Sequence, residues 1–330
     1  MSKLPLLPHI TVILMLLSSC FPLLVSSAKC HKDDKKALLN LFTRPEDLSW
    51  TSSTACCSWP GVICSSLTNR VLTLDMSFFN ISGTISPSIG DLPFLFSINI
   101  EYSPSLTGTI PYSITKLPLT SLTIRFTSLS GPIPGFLSEL KELTNLDLSG
   151  NLHTGPIPDS IASLPKLDRL TLFGNKLTGT IPPALFRRLT SRNLLYLSDN
   201  LLTGEIPISL GDADLGYIYL AGNRFTGDAS FLFSQSKQAT EIDLSRNQLE
   251  MDMSSLSFPQ NLRLLDLSFN RINGTIPASL AHLNDLNTFN VSHNMLCGRI
   301  PTGGQMKSFD ASCYQHNKCL CGTPLPSCHH

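Results

Sequence analysis

A phrase of the form L-x-L-x-x-N-x-L-x-G-x-I-P, complete in Leu170 to Pro182 (LTLFGNKLTGTIP), recurs along this chain at intervals of 23 to 25 residues. Its closing positions are Gly83, Gly108, Gly131, Gly155, Gly179, Gly204, Gly227, Met251, Gly274 and Gly298, ten in all. A period of about 24 residues with leucines at fixed offsets marks a leucine-rich-repeat solenoid, because one such turn cannot bury its apolar face alone and must stack on its neighbours. The pattern predicts a curved right-handed superhelix, with a parallel β-sheet on the concave face and short 3-10 or loop segments on the convex face. Function is expected on that extended surface and not in a pocket.

The chain divides into four parts. Residues 1–28 hold Lys3, an apolar run from Ile10 to Val25 and small residues at Ser26 and Ala28; they read as a signal peptide cut after Ala28. A signal anchor of roughly 20 apolar residues is disfavoured by the breaks at Ser18, Ser19 and Pro22. No later segment is continuously apolar, so no membrane span is expected, and the cysteine-rich terminus is unlike a lipid-anchor signal. Residues 29–70 form an N-terminal cap, 71–298 the ten repeats and 299–330 a C-terminal cap. Cys30, Cys56, Cys57 and Cys64 precede the array, and Cys297, Cys313, Cys319, Cys321 and Cys328 close it. End repeats expose an apolar cross-section, and in an oxidising compartment caps are commonly stapled by disulfides. Four cysteines allow three pairings. The favoured scheme is Cys30–Cys56 with Cys57–Cys64, then Cys297–Cys319 with Cys321–Cys328, which leaves Cys313 over. Zinc on Cys319, Cys321, Cys328 and His329 would need reduced thiols and lacks the paired spacing of such sites, so neither metal nor cofactor is implied. Asp33 and Asp34 suggest an N-capped helix over Lys35 to Phe42, with Trp50 and Trp59 in the cap core.

Within each repeat the L-x-L alternation turns leucines inward and leaves one residue facing out. Asn151, Asn175, Asn200, Asn223, Asn247, Asn270 and Asn294 recur where the strand turns away, and buried amides there can satisfy the backbone of adjacent turns. An additional residue in the second repeat, between Ile100 and Leu106, and Met251-Asp252-Met253-Ser254 in the eighth predict a local bend or bulge. Asn80, Asn273 and Asn290 begin N-glycosylation sequons.

Two outward columns define the concave surface. The first runs Asp75, Asn99, Thr123, Asp147, Thr171, Tyr196, Tyr219, Asp243, Asp266, Asn290; the second runs Ser77, Glu101, Arg125, Ser149, Phe173, Ser198, Ala221, Ser245, Ser268, Ser292. Phe173, Tyr196 and Tyr219 come from consecutive turns and should cluster as anchors for a protein partner. Asp243 and Asp266 stand about 4.8 Å apart by strand spacing, close to the separation of paired glycosidase carboxylates. An open sheet offers no enclosure to raise one pKa, so no catalysis is expected. Arg224, Arg246 and Arg271 flank the asparagines of consecutive repeats and suggest a row of cations for pectin or another acidic polysaccharide. The 24 basic and 24 acidic residues balance, and nucleic acid is not an expected partner. Regularly spaced Asn or Thr on an outer face would also suit ice.

These residues resemble the plant polygalacturonase-inhibiting proteins. The resemblance covers essentially all of the chain after residue 28. It rests on the ten-repeat length, the Cys56-Cys57-Ser58-Trp59 cap, Gly227-Asp228-Ala229-Ser230, the eighth repeat from Ile242 to Glu250 without Gly-x-Ile-Pro, and the end block from Leu296 to Cys328. It implies a secreted, monomeric, cell-wall protein of plant defence that inhibits fungal or insect polygalacturonases through its concave face. Carried to matching positions, the partner-binding residues are Asp147, Ser149, Thr171, Phe173, Tyr196, Ser198, Tyr219, Asp243 and Ser245. The alternative is an apoplastic recognition protein that binds a receptor kinase or peptide and inhibits nothing.

Overall fold

The computed structural model describes residues 29–44, 48–187 and 194–328; the expected signal peptide, 1–28, lies outside the described residues. Ten strands stack in parallel along the concave side, from Val71–Ser77 through Ser97–Gly108, Ser121–Pro132, Asn145–Asp147, Arg169–Thr171, Leu194–Tyr196, Tyr217–Tyr219, Glu241–Asp243 and Leu264–Asp266 to Thr288–Asn290. Their register is one to one from turn to turn: Asp75 faces Asn99, Thr123 faces Asp147, Tyr196 faces Tyr219 and Asp243 faces Asp266. The leucine of each strand turns inward; Leu122, Leu146, Leu195, Ile242 and Leu265 are wholly buried. On the convex side most turns hold a short 3-10 helix, such as Gly135–Glu139, Asp159–Ser163 and Ala278–His282, each capped by the proline of the Gly-x-Ile-Pro step. Proline suits that position because its fixed φ matches the entry to the helix and the absent N–H leaves nothing unsatisfied.

The buried asparagines join the turns. Asn175 donates through Nδ2 to the carbonyls of Leu148 (2.9 Å) and Leu172 (3.1 Å), and its Oδ1 accepts the His153 N–H (3.0 Å). Asn200, Asn223, Asn247, Asn270 and Asn294 repeat this pattern. The ladder runs on into the C-terminal cap, where Asn317 donates to Val291 O and Tyr314 O and accepts the Leu296 N–H. Residues 313–317 thus form an eleventh, abbreviated turn, visible in the sequence only as an asparagine one period beyond Asn294.

The two irregular repeats differ in outcome. The second carries a bulge: Ser103 pairs with Thr127 but Thr107 with Ser128, so the additional residues loop out. The eighth shows no such shift. Met253 is fully buried and replaces the usual isoleucine, while Asp252 accepts the Ser254 N–H and caps a 3-10 helix, Met253–Ser255.

In the N-terminal cap the helix spans Lys32–Leu39, its N-cap is His31, and Asp33 and Asp34 occupy its first turn. This corrects the expected start; Leu41 and Phe42 lie past the helix, though still buried. Asp34, 1% exposed, accepts two bonds from Arg70 (2.7 and 3.0 Å) and one from the Val71 N–H (2.8 Å), fixing the helix to the first strand. Trp50 stacks on Trp59 at 5.2 Å. The disulfides are Cys30–Cys56, Cys57–Cys64, Cys297–Cys319 and Cys321–Cys328, as favoured, and Cys313 is free. Among the described residues no helix is long and apolar enough to cross a membrane.

Candidate functional site

The concave face carries a continuous ladder of aromatic rings. Phe78, Tyr102 and Phe126 stack at centroid distances of 4.9 and 4.8 Å. Phe126 meets Phe173 edge-on at 5.9 Å, Phe173 stacks on Tyr196 at 4.5 Å, and Tyr196 lies 4.8 Å from Tyr219. The expected cluster of Phe173, Tyr196 and Tyr219 is therefore the second half of a six-ring row. Strand spacing of about 4.8 Å is the cause, since it equals the contact distance of stacked rings.

The first three rings occupy a column of left-handed backbone. Phe78, Tyr102, Phe126, Asp199, Arg246, Phe269, His293 and His316 all have φ between 53° and 63°, with Gly150, Gly174 and Gly222 at the remaining turns. That conformation is costly for bulky side chains, and here the rings of Phe78, Tyr102 and Phe126 meet face to face from turn to turn. The row crosses from this column to the strand because Gly150 offers no side chain; a Cβ at Gly150 would lie 2.4 Å from Phe126 Cδ1. A second, shorter stack runs from Arg246, 5.2 Å over Phe269, to His293 (3.9 Å) and His316 (4.2 Å). The sequence shows these columns at a spacing of one repeat, but not that the rings touch.

The nine carried-over residues separate into two groups. Phe173, Tyr196, Tyr219, Asp147 and Asp243 are partly exposed on the face. Ser149, Thr171, Ser198 and Ser245 are instead buried, with Ser149 at 0% exposure, so they offer a partner little side-chain surface. At two of them the aspartate two residues before also holds the serine in an Asx-type turn: Asp147 Oδ1 accepts the Ser149 N–H (3.0 Å) and hydroxyl, and Asp243 Oδ1 accepts the Ser245 N–H (3.0 Å). Ser198 is buried as well where Tyr196 takes the aspartate's place, so the burial belongs to the column and not to the turn.

Charge is distributed unevenly. Arg125 donates to Glu101 at 2.8 Å and lies 3.9 Å from Asp147, and the Glu101 bond holds its pKa above the ordinary arginine value. Burial raises the Asp147 carboxyl above the usual range, against the stabilising Ser149 bonds. Asp243 is raised likewise by burial, with its Ser245 bonds opposing and nearby Asp266 and Asp199 adding repulsion. The Tyr219 hydroxyl donates to Glu241, and burial followed by that bond pushes its pKa well up. The paired acids at 243 and 266 stand on an open sheet, yet Asp243 is raised by burial, which corrects the expectation that such a sheet offers nothing to raise one of them. The three arginines do not form one row: Arg246 belongs to the left-handed column, whereas Arg224 and Arg271 follow their asparagines, and Arg271 pairs with Glu250 at 2.9 Å. Asn80 and Asn273 are exposed, and Asn290 is half-buried on the concave face with its Oδ1 taken by the Ser292 N–H.

Comparison with known proteins matches this architecture. Two family profiles, both described as leucine-rich repeat, cover residues 118–177 and 261–283. Polygalacturonase inhibitor 2 of Arabidopsis thaliana is 45% identical over 96% of this chain and 99% of its own length. The polygalacturonase inhibitor of Pyrus communis is 46% identical over 91% and 92%. Leucine-rich repeat protein FLOR 1 of Arabidopsis thaliana is 45% identical over 97% and 98%. Among solved structures, a plant ice-binding protein superposes with TM-score 0.86 at 42% identity, covering 91% of this chain and 99% of that one. The similarity runs through the array and both caps, and the chain belongs to the plant polygalacturonase-inhibitor family of leucine-rich-repeat proteins.

Proposed function

We propose that this protein is an extracellular inhibitor of fungal or insect polygalacturonases in the plant cell wall, acting in defence by docking its concave face over or beside the enzyme's cleft. It does so by occlusion, as a monomer, without chemistry of its own. The observation that carries this reading is the six-ring ladder at the centre of an open concave sheet, within a chain whose named relatives include polygalacturonase inhibitors. Rigid aromatic side chains on a fixed lattice lose little freedom on binding and dominate interface energetics. Phe173, Tyr196 and Tyr219 are the anchors, and Asp147 and Asp243 set charge preference around them.

The test is hydrolysis of polygalacturonate by a panel of fungal and insect enzymes at mildly acidic pH, with and without the purified protein. Saturable inhibition of one or more enzymes is expected, weakened at least tenfold by Tyr196→Ala or Tyr219→Ala with the fold intact. No inhibition across the panel by folded protein refutes the reading. The identity with a plant ice-binding protein gives a second reading a concrete check: thermal hysteresis in the purified protein would support ice as a ligand.

A further inference from the structure

A trench of about 420 Å³ borders the aromatic ladder, lined by Arg169, Leu194, Tyr196, Tyr217, Tyr219 and Glu241. One wall is a row in strict register, Arg169 facing Leu194, Leu194 facing Tyr217 and Tyr217 facing Glu241. The other wall is the row two residues on, where the rings of Tyr196 and Tyr219 meet at a tilt. Residues two apart on a strand share a face, so both rows rise from the concave sheet. The trench runs along the solenoid axis, perpendicular to the strands.

Its chemistry is polar at the ends and apolar in the middle. Arg169 closes one end, exposed and, among the described residues, in no ion pair. Glu241 closes the other, held by the Tyr219 hydroxyl and flanked by Asp243 on its own strand and Asp266 on the next. No cation pairs with Glu241, Asp243 or Asp266 among the described residues, while Arg125 further along the face is already engaged by Glu101 and Asp147. Leu194 and Tyr217 lie between, Tyr217 being 40% exposed. Three strand steps separate the charged ends, roughly 14 Å along the sheet, which an extended peptide spans in about four residue steps.

We propose that this trench binds an extended peptide segment of a protein partner, one that carries a basic side chain and, four residues away, an acidic one, with small or apolar residues between. The basic group lies over Tyr219 between Glu241 and Asp243, gaining attraction from the ring face as well as from the carboxylates. The acidic group pairs with Arg169. A stretch of acidic polysaccharide does not fit, because its carboxylates would meet Glu241, Asp243 and Asp266. The inference deepens the inhibitor reading by naming the kind of segment the partner presents, and it has its own readout.

Fluorescent peptides of the form Gly-Gly-Lys-Leu-Ala-Leu-Glu-Gly-Gly, and versions with Lys or Glu at both charged positions, are titrated with the whole protein by polarisation. The mixed-charge peptide is expected to bind at least tenfold more tightly than either same-charge peptide. Glu241→Lys or Arg169→Glu should abolish that preference, and Lys116→Glu, on the convex side, should leave it intact. Glu241→Gln and Arg169→Leu serve if a reversal unfolds the array, and each should reduce the preference at least threefold. Equal binding of the three peptides, or an unchanged preference in the trench variants, overturns the proposal, as does stronger binding of an oligogalacturonide that displaces the mixed-charge peptide. Preference without inhibition in the enzyme panel refutes only the enzyme target; inhibition without preference refutes only the trench.

Discussion

His153 occupies the inward position that is Leu129 one turn earlier and Leu177 one turn later, and it is 1% exposed. Its Nδ1 meets the Gly131 carbonyl at 3.2 Å, and Nε2 is buried without a partner. Burial lowers its pKa, opposed by the Gly131 bond. A base with a depressed folded-state pKa stabilises the fold fully above its unfolded value of about 6.5 and loses that stability as pH falls, because only the unfolded chain takes up the proton. While the folded ring stays neutral the loss is about 1.4 kcal/mol per pH unit, or up to roughly 2 kcal/mol at pH 5. His153→Leu removes this loss and the orphaned Nε2, whose burial costs on the order of 1–3 kcal/mol. Urea unfolding of the purified protein and the variant at pH 7.5 and pH 5 isolates the effect, since all other titrations are shared. The variant should be more stable at both values, and its advantage should grow by roughly 1–2 kcal/mol at the lower pH. A pH-independent difference refutes the reasoning, as does a histidine ring that NMR shows to be protonated in the folded state at pH 5.5.

Other expectations concern the lattice and the free thiol. Asn200→Ala strips the amide that serves Leu172, Leu197, Ser198 and Leu177; at about 1 kcal/mol for each net bond and more for orphaned groups, urea unfolding should show a loss of roughly 2–4 kcal/mol. Gly150→Ala forces Phe126 aside and should cost roughly 1–3 kcal/mol in the same assay, with weaker inhibition as the ladder opens. Cys313 is half-buried with a raised thiol pKa, burial first and Asp310 next; its alkylation by iodoacetamide at pH 8 should be slower than that of an exposed peptide thiol, and Cys313→Ser should leave the monomer band on non-reducing electrophoresis unchanged.

The repeat was legible because one residue per turn sets one contact per turn: leucine spacing fixes the strands, and strands in register put Tyr196 beside Tyr219 without further information. The Asp–Ser turns were harder to foresee. An L-D-L-S string places its serine on the exposed side of an ideal strand, whereas the chain leaves the strand after residue 147, Asp147 bonds the Ser149 N–H, and Ser149 is buried, as is Ser198 after Tyr196. The ladder's diagonal step was equally hidden, since it depends on Phe126 leaning into the space over Gly150 and on Phe173 lying a column away. The arginines misled because sequence distance from an asparagine is not direction: Arg246 precedes its asparagine and enters the left-handed column, while Arg271 follows and meets Glu250.

The eleventh turn makes the array a chain of links without a loose end. In a linear stack each unit is held by two neighbours, and terminal units normally open first because they have one. Here Asn317 extends the amide ladder beyond the last repeat, and Cys297–Cys319 ties that turn back to it, while Cys30–Cys56 and the Asp34–Arg70 pair close the other end. Opening from either end has to break a cap contact together with a repeat interface, which favours unfolding of the array as a unit over fraying. Reduction of the caps would return it to fraying, turn by turn, from both ends.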